Sequence, residues 1–313
     1  MIVENPMISV IIPTVNQVEL VTQCLASFYA NEPSIQYTYE VIVVDDGSSP
    51  EIQQNLRKAL IDFPVRLLTK DENQGFSATV NHGVANSNGK FICLLNNDVT
   101  LNQKNWLDMM MRDAIRSQMG VVGPRLLYPD GQIQHGGIIY IPASGGFDHE
   151  YRGKPSNYPP ALRTREVLGV TGALMLINRE LWELLNGMDE RFFVGMEDID
   201  FCLRTWEVGW RICYTGSVSA IHPEGHTRGN DPYWKKKGLE SCQKFMEKWY
   251  GKLLLLGGPG NVPENQLRVG QITGSISEEQ AIRWQRITRK GKNIYNSYRS
   301  YKQPVTTFVA KNY

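Results

Sequence analysis

Three acidic clusters and one histidine carry the residue types that could do chemistry. Asp45-Asp46-Gly47-Ser48 places carboxylates at the end of the apolar run Val41-Ile42-Val43-Val44, where they could accept hydrogen bonds from a nucleotide base or a ribose hydroxyl. Asp-Gly-Ser is also favoured turn chemistry in its own right, and the residues alone leave both readings open. Asn73-Gln74-Gly75-Phe76, followed by Asn81, is similar: Gly75 allows either close approach of backbone to a ligand or a tight helix entry. Asn96-Asn97-Asp98 follows a further apolar run, where a divalent ion bridging two phosphates could sit. Magnesium and manganese take hard oxygen ligands and keep water and phosphate in their shell, so one protein carboxylate can suffice. The alternative is a cap before the helix that contains Trp106.

Glu197-Asp198-Ile199-Asp200 opens a helical pattern after Gly195, with three carboxylates in four residues. Acidic residues complement a helix N-terminus. The approach Arg191-Phe192-Phe193-Val194-Gly195-Met196 is largely apolar, however, and crowding carboxylates into a partly desolvated place raises their proton affinity. A general base explains that crowding better than stability does. His222 follows Val218-Ser219-Ala220-Ile221 and precedes Pro223-Glu224-Gly225-His226. Pro223 and Gly225 prevent a helical pair of histidines, and the residues by themselves indicate no site there.

The elements that must position these groups follow from periodicity. Ile8–Ile12, Val41–Val44, Val65–Leu68 and Phe91–Leu95 read as buried strands. Helical spacing separates them, with Val18, Val21, Leu25 and Phe28, then Ile52, Leu56 and Ala59, then Phe76, Val80 and Val84. Such alternation predicts an α/β fold with a mainly parallel sheet flanked by helices, in which ligands bind beyond the carboxyl ends of the strands. Pro13-Thr14, Asp45-Asp46 and Asn96-Asn97-Asp98 all stand at such ends. Further on, Tyr128-Pro129-Asp130-Gly131 predicts a turn, 142–165 a mobile loop, Gly172–Ile177 a strand, and 198–208 and 233–250 helices.

Bulk properties narrow the function classes. The chain has 313 residues, 42% hydrophobic and 21% charged, enough for one large domain with an appendage. A formal charge of +1 gives no global field that would favour nucleic acid. Five scattered cysteines with no paired spacing suit a reducing compartment. The first residues lack a signal-peptide pattern and no apolar run approaches the ~20 residues of a membrane span, so the expectation is a cytoplasmic protein.

Taken in order, these motifs resemble glycosyltransferase family 2. Strand-Pro13-Thr14-Val15-Asn16, Val43-Val44-Asp45-Asp46-Gly47-Ser48, Asn73-x-Gly75-Phe76 and Leu94-Leu95-Asn96-Asn97-Asp98-Val99 are similar to the family's donor half. Thr171-Gly172-Ala173, Gly187-Met188-Asp189-Glu190-x-Phe192-Phe193 and Glu197-Asp198-Ile199-Asp200-Phe201-Cys202-x-Arg204 are similar to its acceptor half. The resemblance covers roughly 7–250 and rests on seven motifs in the right order. It implies a GT-A fold over 1–251, with a donor half to about 123 and an acceptor half from about 124, then a linker and helical extension over 252–313.

The resemblance also implies roles. Pro13, Thr14 and Asp46, with Gly75, Phe76 and Asn97, would hold the nucleotide. Asp98 would be the acid of the DxD element, here with Asn96 at its first position, and His222 a distal ligand of a divalent metal, Mg or Mn. Asp198 would be the catalytic base of an inverting transfer, with Glu197 and Asp200 as secondary candidates. The partners implied are a nucleotide-sugar donor, dTDP-L-rhamnose first and a UDP-sugar second, and a glycan or glycolipid acceptor.

Two rivals make different demands on the sequence. A sugar nucleotidyltransferase would carry a glycine-rich, basic loop after the first strand, where Pro13-Thr14-Val15-Asn16-Gln17 stands. A non-catalytic carbohydrate-binding scaffold would have lost Asp98 or Asp198. Beyond Gly257-Gly258-Pro259-Gly260, a helix from about Glu278 to Tyr301 mixes basic and aromatic residues, which suits packing of its aromatics on the catalytic domain or in a homo-oligomer, or peripheral contact with an anionic membrane.

Overall fold

The computed structural model describes residues 6–31, 33–117, 119–141, 146–223 and 231–255. The linker and helix expected beyond Gly257, and the membrane or oligomer contact expected of them, lie outside the described residues.

The chain begins with β1 (Ile8–Thr14), α1 (Val18–Ala30), β2 (Tyr39–Asp45), α2 (Pro50–Ala59), β3 (Arg66–Thr69), α3 (Phe76–Ala85) and β4 (Phe91–Leu95). β4, β1, β2 and β3 lie side by side and all parallel, as strands joined by crossover helices do. Side chains of β1 alternate between two cores. Val10 and Ile12 join Val21, Leu25, Phe28, Trp106 and Met110 on one face, whereas Ile11 joins Val80, Val84, Trp182 and Phe201 on the other. Burial on both faces is why these strands read as continuous apolar runs rather than as alternating ones.

The next elements are β5 (Thr100–Leu101), α4 (Trp106–Ser117), β6 (Val121–Leu127), β7 (Ile133–His135), β8 (Ile138–Ile141), β9 (Gly146–His149), β10 (Arg165–Glu166) and β11 (Leu174–Asn178). α5 (Arg179–Leu184), α6 (Glu197–Glu207), β12 (Ile212–Ile221) and α7 (Pro232–Leu255) complete the described chain. β11 enters the sheet antiparallel, between β4 and β6, and β12 then runs parallel to β6. The sheet is therefore mixed and mostly parallel, and the expected boundary between halves at 123/124 falls inside β6. α7 closes the molecule, burying Phe245, Trp249 and Leu253 against Leu203, Phe192 and Tyr140.

The expectation of a mobile loop over 142–165 needs correction for its described part, 146–165. β9 pairs with β8, Ile133 and Gly153 exchange backbone bonds with Lys154 and Ile133 at 2.7 Å, and Tyr151 packs on Tyr158 with ring centroids 5.5 Å apart. The backbone partners among these, β8 and Ile133, lie outside the segment, so no local period betrays them. Tyr128–Gly131 forms the turn expected, with the Gly131 amide donating to the Tyr128 carbonyl at 2.9 Å and Gly131 at φ +85°.

Candidate active site

Parallel pairing brings the carboxyl ends of the first four strands to one edge. Thr14 lies opposite Asp45, and Asp45 opposite Thr69. Asp45 is fully buried, accepting bonds from the Ser48 amide at 3.1 Å, the Ser48 hydroxyl and Gln53 Nε2 at 3.0 Å, which makes it the organiser of its own turn. Asp46 accepts from Lys70 Nζ at 2.7 Å and from the Gln74 and Gly75 amides at 3.0 and 2.9 Å. Both residues of this pair thus bind donors of their own chain, and Asp46 ties the end of β2 to the entry of α3.

Gly75 stands at φ +90°, and a Cβ there would come within 2.5 Å of the Phe193 carbonyl oxygen. The Phe76 amide donates to that same oxygen at 2.8 Å. The glycine is therefore required by Phe193, a partner within the protein. Pro13 is buried opposite Val44 in the β1–β2 register. Thr14 Oγ1 accepts from Asn97 Nδ2 at 2.9 Å, which joins the ends of β1 and β4.

Asp98 and His222, far apart in sequence, come together. His222 Nε2 lies 3.3 Å from Asp98 Oδ1, with the two side chains 11% and 6% exposed. The His222 amide donates to the Leu127 carbonyl at 2.9 Å, so the β6–β12 pairing sets its position. Gln134 fixes the ring, its Nε2 donating to the His222 carbonyl at 2.8 Å and its Oε1 meeting His222 Nδ1 at 2.7 Å. With the amide nitrogen so engaged, Oε1 accepts from Nδ1–H, and Nε2 faces a carboxylate. Two electron-rich atoms at that distance call for a proton or a cation between them. Nearby, Asn96 Oδ1 is buried with no hydrogen-bond partner among the described residues. An oxygen-and-imidazole set of this kind fits a divalent ion that keeps part of its shell for phosphate. Among the described residues, no group of three or more His, Cys, Asp or Glu side chains could hold a metal.

The three carboxylates that open α6 have different surroundings. Asp200 is fully buried and bound by Arg204 Nε at 2.8 Å, Lys248 Nζ at 2.6 Å and Trp249 Nε1 at 2.7 Å. Glu197 is buried at 7% exposure. Asp198 is half-buried, its Oδ2 accepting from the Gly172 amide at 3.0 Å and its Oδ1 from the Ile199 amide at 2.8 Å. A Cβ at Gly172 would meet Asp198 Cβ at 3.5 Å and the Phe76 ring at 3.7 Å, so Thr171-Gly172-Ala173 and Phe76 border this carboxylate. Cys24, Cys93, Cys202 and Cys213 are buried and Cys242 is half-buried, and burial pushes all five thiols up, away from the thiolate a nucleophile needs.

Lys70 and Gln134 escaped notice in the sequence. Lys70 carried a signal, since it stands one residue beyond β3 as Asp46 stands one residue beyond β2, and β2 and β3 are paired in parallel. Gln134 carried none, because β7 reaches His222 only through the sheet. Two open concavities of about 500 and 660 Å³ share Asn81, Asn186, Gly187 and Glu190, and neither is lined by Asp98, His222 or Asp198.

A 239-residue stretch is 31% identical to an uncharacterized protein of Sinorhizobium fredii, covering 74% of this chain and 26% of that protein. An O-antigen biosynthesis protein of Myxococcus xanthus is 30% identical over 241 residues, covering 74% of this chain and 19% of the relative. The chain thus spans about a quarter or less of the length of these two relatives. An N-acetylglucosaminyl-diphospho-decaprenol L-rhamnosyltransferase of Mycobacterium tuberculosis is 27% identical, covering 61% of this chain and 69% of the relative.

Among solved structures, GalNAc-T7 with UDP, GalNAc and Mn2+ superposes with a TM-score of 0.63 at 16% identity, covering 95% of this chain and 58% of the other. A mannosyltransferase of Pyrobaculum calidifontis in complex with GDP-Man and Mn2+ superposes with a TM-score of 0.58 at 17% identity, covering 95% and 83%. At such identities these likenesses show the fold alone, which is GT-A. The family model of Glycosyl transferase family 2 matches residues 9–185, more than half of the chain, and this chain belongs to that family.

Proposed function

We propose that this chain is the catalytic unit of an inverting glycosyltransferase that moves a sugar from a nucleoside diphosphate to a hydroxyl of a glycan or glycolipid. The observation that carries this reading is the facing pair Asp98 Oδ1 and His222 Nε2 at 3.3 Å, at the same edge as Thr14 and Asn97. Pro13, Thr14 and Asn97 receive the nucleoside. Asp46 contributes by holding Gln74 and Gly75, and with them Phe76, in place. Asp98 and His222 hold a divalent cation, Mg or Mn, which when bound offsets charge on the leaving diphosphate. Mn2+ in both GT-A neighbours supports this assignment.

Asp198 accepts the proton of the acceptor hydroxyl as its oxygen attacks the anomeric carbon from the face opposite the diphosphate. The sugar–phosphate bond breaks, the nucleoside diphosphate leaves with the electron pair, and the anomeric configuration inverts. The amides of Gly172 and Ile199 hold the carboxylate for this step. The L-rhamnosyltransferase relative supports an activated L-rhamnose, dTDP-L-rhamnose, as the first donor to test, with a UDP-sugar next.

Release of nucleoside diphosphate from a set of dTDP-, UDP- and GDP-sugars, with Mn2+ or with chelator, tests the proposal. One donor should be turned over in a metal-dependent manner, and Asp98→Ala should abolish both the turnover and the metal-dependent part of donor binding. Normal turnover by Asp98→Ala in chelator overturns the metal assignment.

A further inference from the structure

α7 is divided into two parts by the fate of its aromatic residues. Phe245 and Trp249, in its second half, are 2% and 0% exposed and belong to the core. Tyr233 and Trp234, in its first turn, stay outside, with Tyr233 47% exposed and Trp234 half-buried. They pack on one another and on Phe193. Tyr233 and Trp234 meet edge to face at 5.3 Å between centroids, and Phe193 lies 6.2 and 6.0 Å from them. Lys237 Nζ sits 4.9 Å from the Phe193 centroid and 5.8 Å from that of Tyr233, holding the cluster from one side.

This cluster is continuous with the site. The Phe193 carbonyl holds the Phe76 amide, the Phe193 ring abuts Gly75, and the Phe76 ring borders Gly172, whose amide binds Asp198. A pyranose presents C–H groups on one face and hydroxyls at its rim. The electron-rich faces of indole and phenol suit the former, and Lys237 and the Tyr233 hydroxyl suit the latter. We propose that Phe193, Tyr233 and Trp234 form an aromatic wall that receives a sugar ring of the acceptor and presents its hydroxyl to Asp198. This proposal rests on the reading of Asp198 as the base, and names the acceptor class as one with a pyranose at or next to the reacting hydroxyl.

The test uses the full chain, the donor found by the nucleoside diphosphate assay, and a panel of methyl glycosides of hexoses and N-acetylhexosamines. The same samples are read for acceptor-free donor hydrolysis and for saturation transfer from aromatic protons to glycoside C–H groups. Trp234→Ala and Tyr233→Ala should each raise the acceptor KM about tenfold with kcat and donor hydrolysis little changed, and Trp234→Phe should recover part of the loss. Saturation transfer should fall in step.

If donor is hydrolysed but both alanine variants keep the wild-type acceptor KM, or no glycoside receives saturation, the wall is overturned while the glycosyltransferase reading stands. If no donor is hydrolysed at all, that reading fails and takes the wall with it. Lys235, Lys236 and Leu239 are exposed beside the cluster, so a lipid-facing role is the third outcome. Loss of co-sedimentation with phosphatidylglycerol vesicles, together with an unchanged glycoside KM, would assign the patch to a membrane and overturn the proposal.

Discussion

The acidic end of β2 and the acidic start of α6 look alike in sequence, and their surroundings make them different. At β2 the chain answers its carboxylates with Ser48, Gln53, Lys70 and two amides of the α3 entry, so Asp45 and Asp46 tie the strand end to its neighbouring segments. At α6 the answer is divided. Asp200 takes two cations and an indole N–H, whereas Asp198, half a turn earlier, is held by backbone amides at the border of Phe76 and Gly172. A carboxylate bound by side-chain cations does structural work. Asp198, oriented by amides at a half-buried edge, is the one we propose for proton transfer.

Breaking this distinction at α6 has the largest expected effect. Asp198→Asn keeps the shape and removes proton acceptance, so turnover should fall by ~10²–10⁴-fold while donor affinity, measured by calorimetry, persists. Equal activity in that variant, with Glu197→Gln inactive, moves the base by one residue. Asp200→Ala should show the opposite pattern. It leaves Arg204 and Lys248 without their buried anion, and urea denaturation should register a loss of roughly 3–5 kcal/mol. Lys248 also pairs with Asp189 at 2.8 Å, which favours the lower end of that range. Turnover per folded molecule should be kept, and its selective collapse would show that Asp200 takes part in the chemistry.

A smaller change sharpens the other carboxylate, Asp98. Gln134 is 1% exposed and touches His222 twice. Gln134→Leu should weaken Mn2+ binding ~10–100-fold in a direct titration, through the orientation of a ligand rather than its removal. Unchanged Mn2+ affinity in a folded variant would remove His222 from the metal site.

Legibility in the sequence followed the range of the interactions. The four parallel strands, their helices and the polar residues at the strand ends could be read directly, because burial of both sheet faces writes itself into consecutive residues. Thr14, Asp45, Asp46 and Asn97 therefore stood at the edge where they were expected. His222 could not be judged from its neighbours, and entered only through the family resemblance. What brings it to Asp98 is the register of β12 on β6, followed by Gln134 from β7. Nor could the pairing within 146–165 be read, since its strand partners, β8 and β12, and its bonds to Ile133 lie outside the segment.

The sequence by itself determined the layer architecture, the positions of the chemistry-bearing residues along it, and the family. Those depend on local patterning and on motif order. Only the tertiary structure decided which carboxylates are consumed by Lys70, Arg204 and Lys248, which one faces an imidazole, and which aromatic residues of α7 stay outside the core. Each of those outcomes depends on partners from distant segments, and a carboxylate's role is set by the charge and hydrogen bonds around it rather than by its place in the chain.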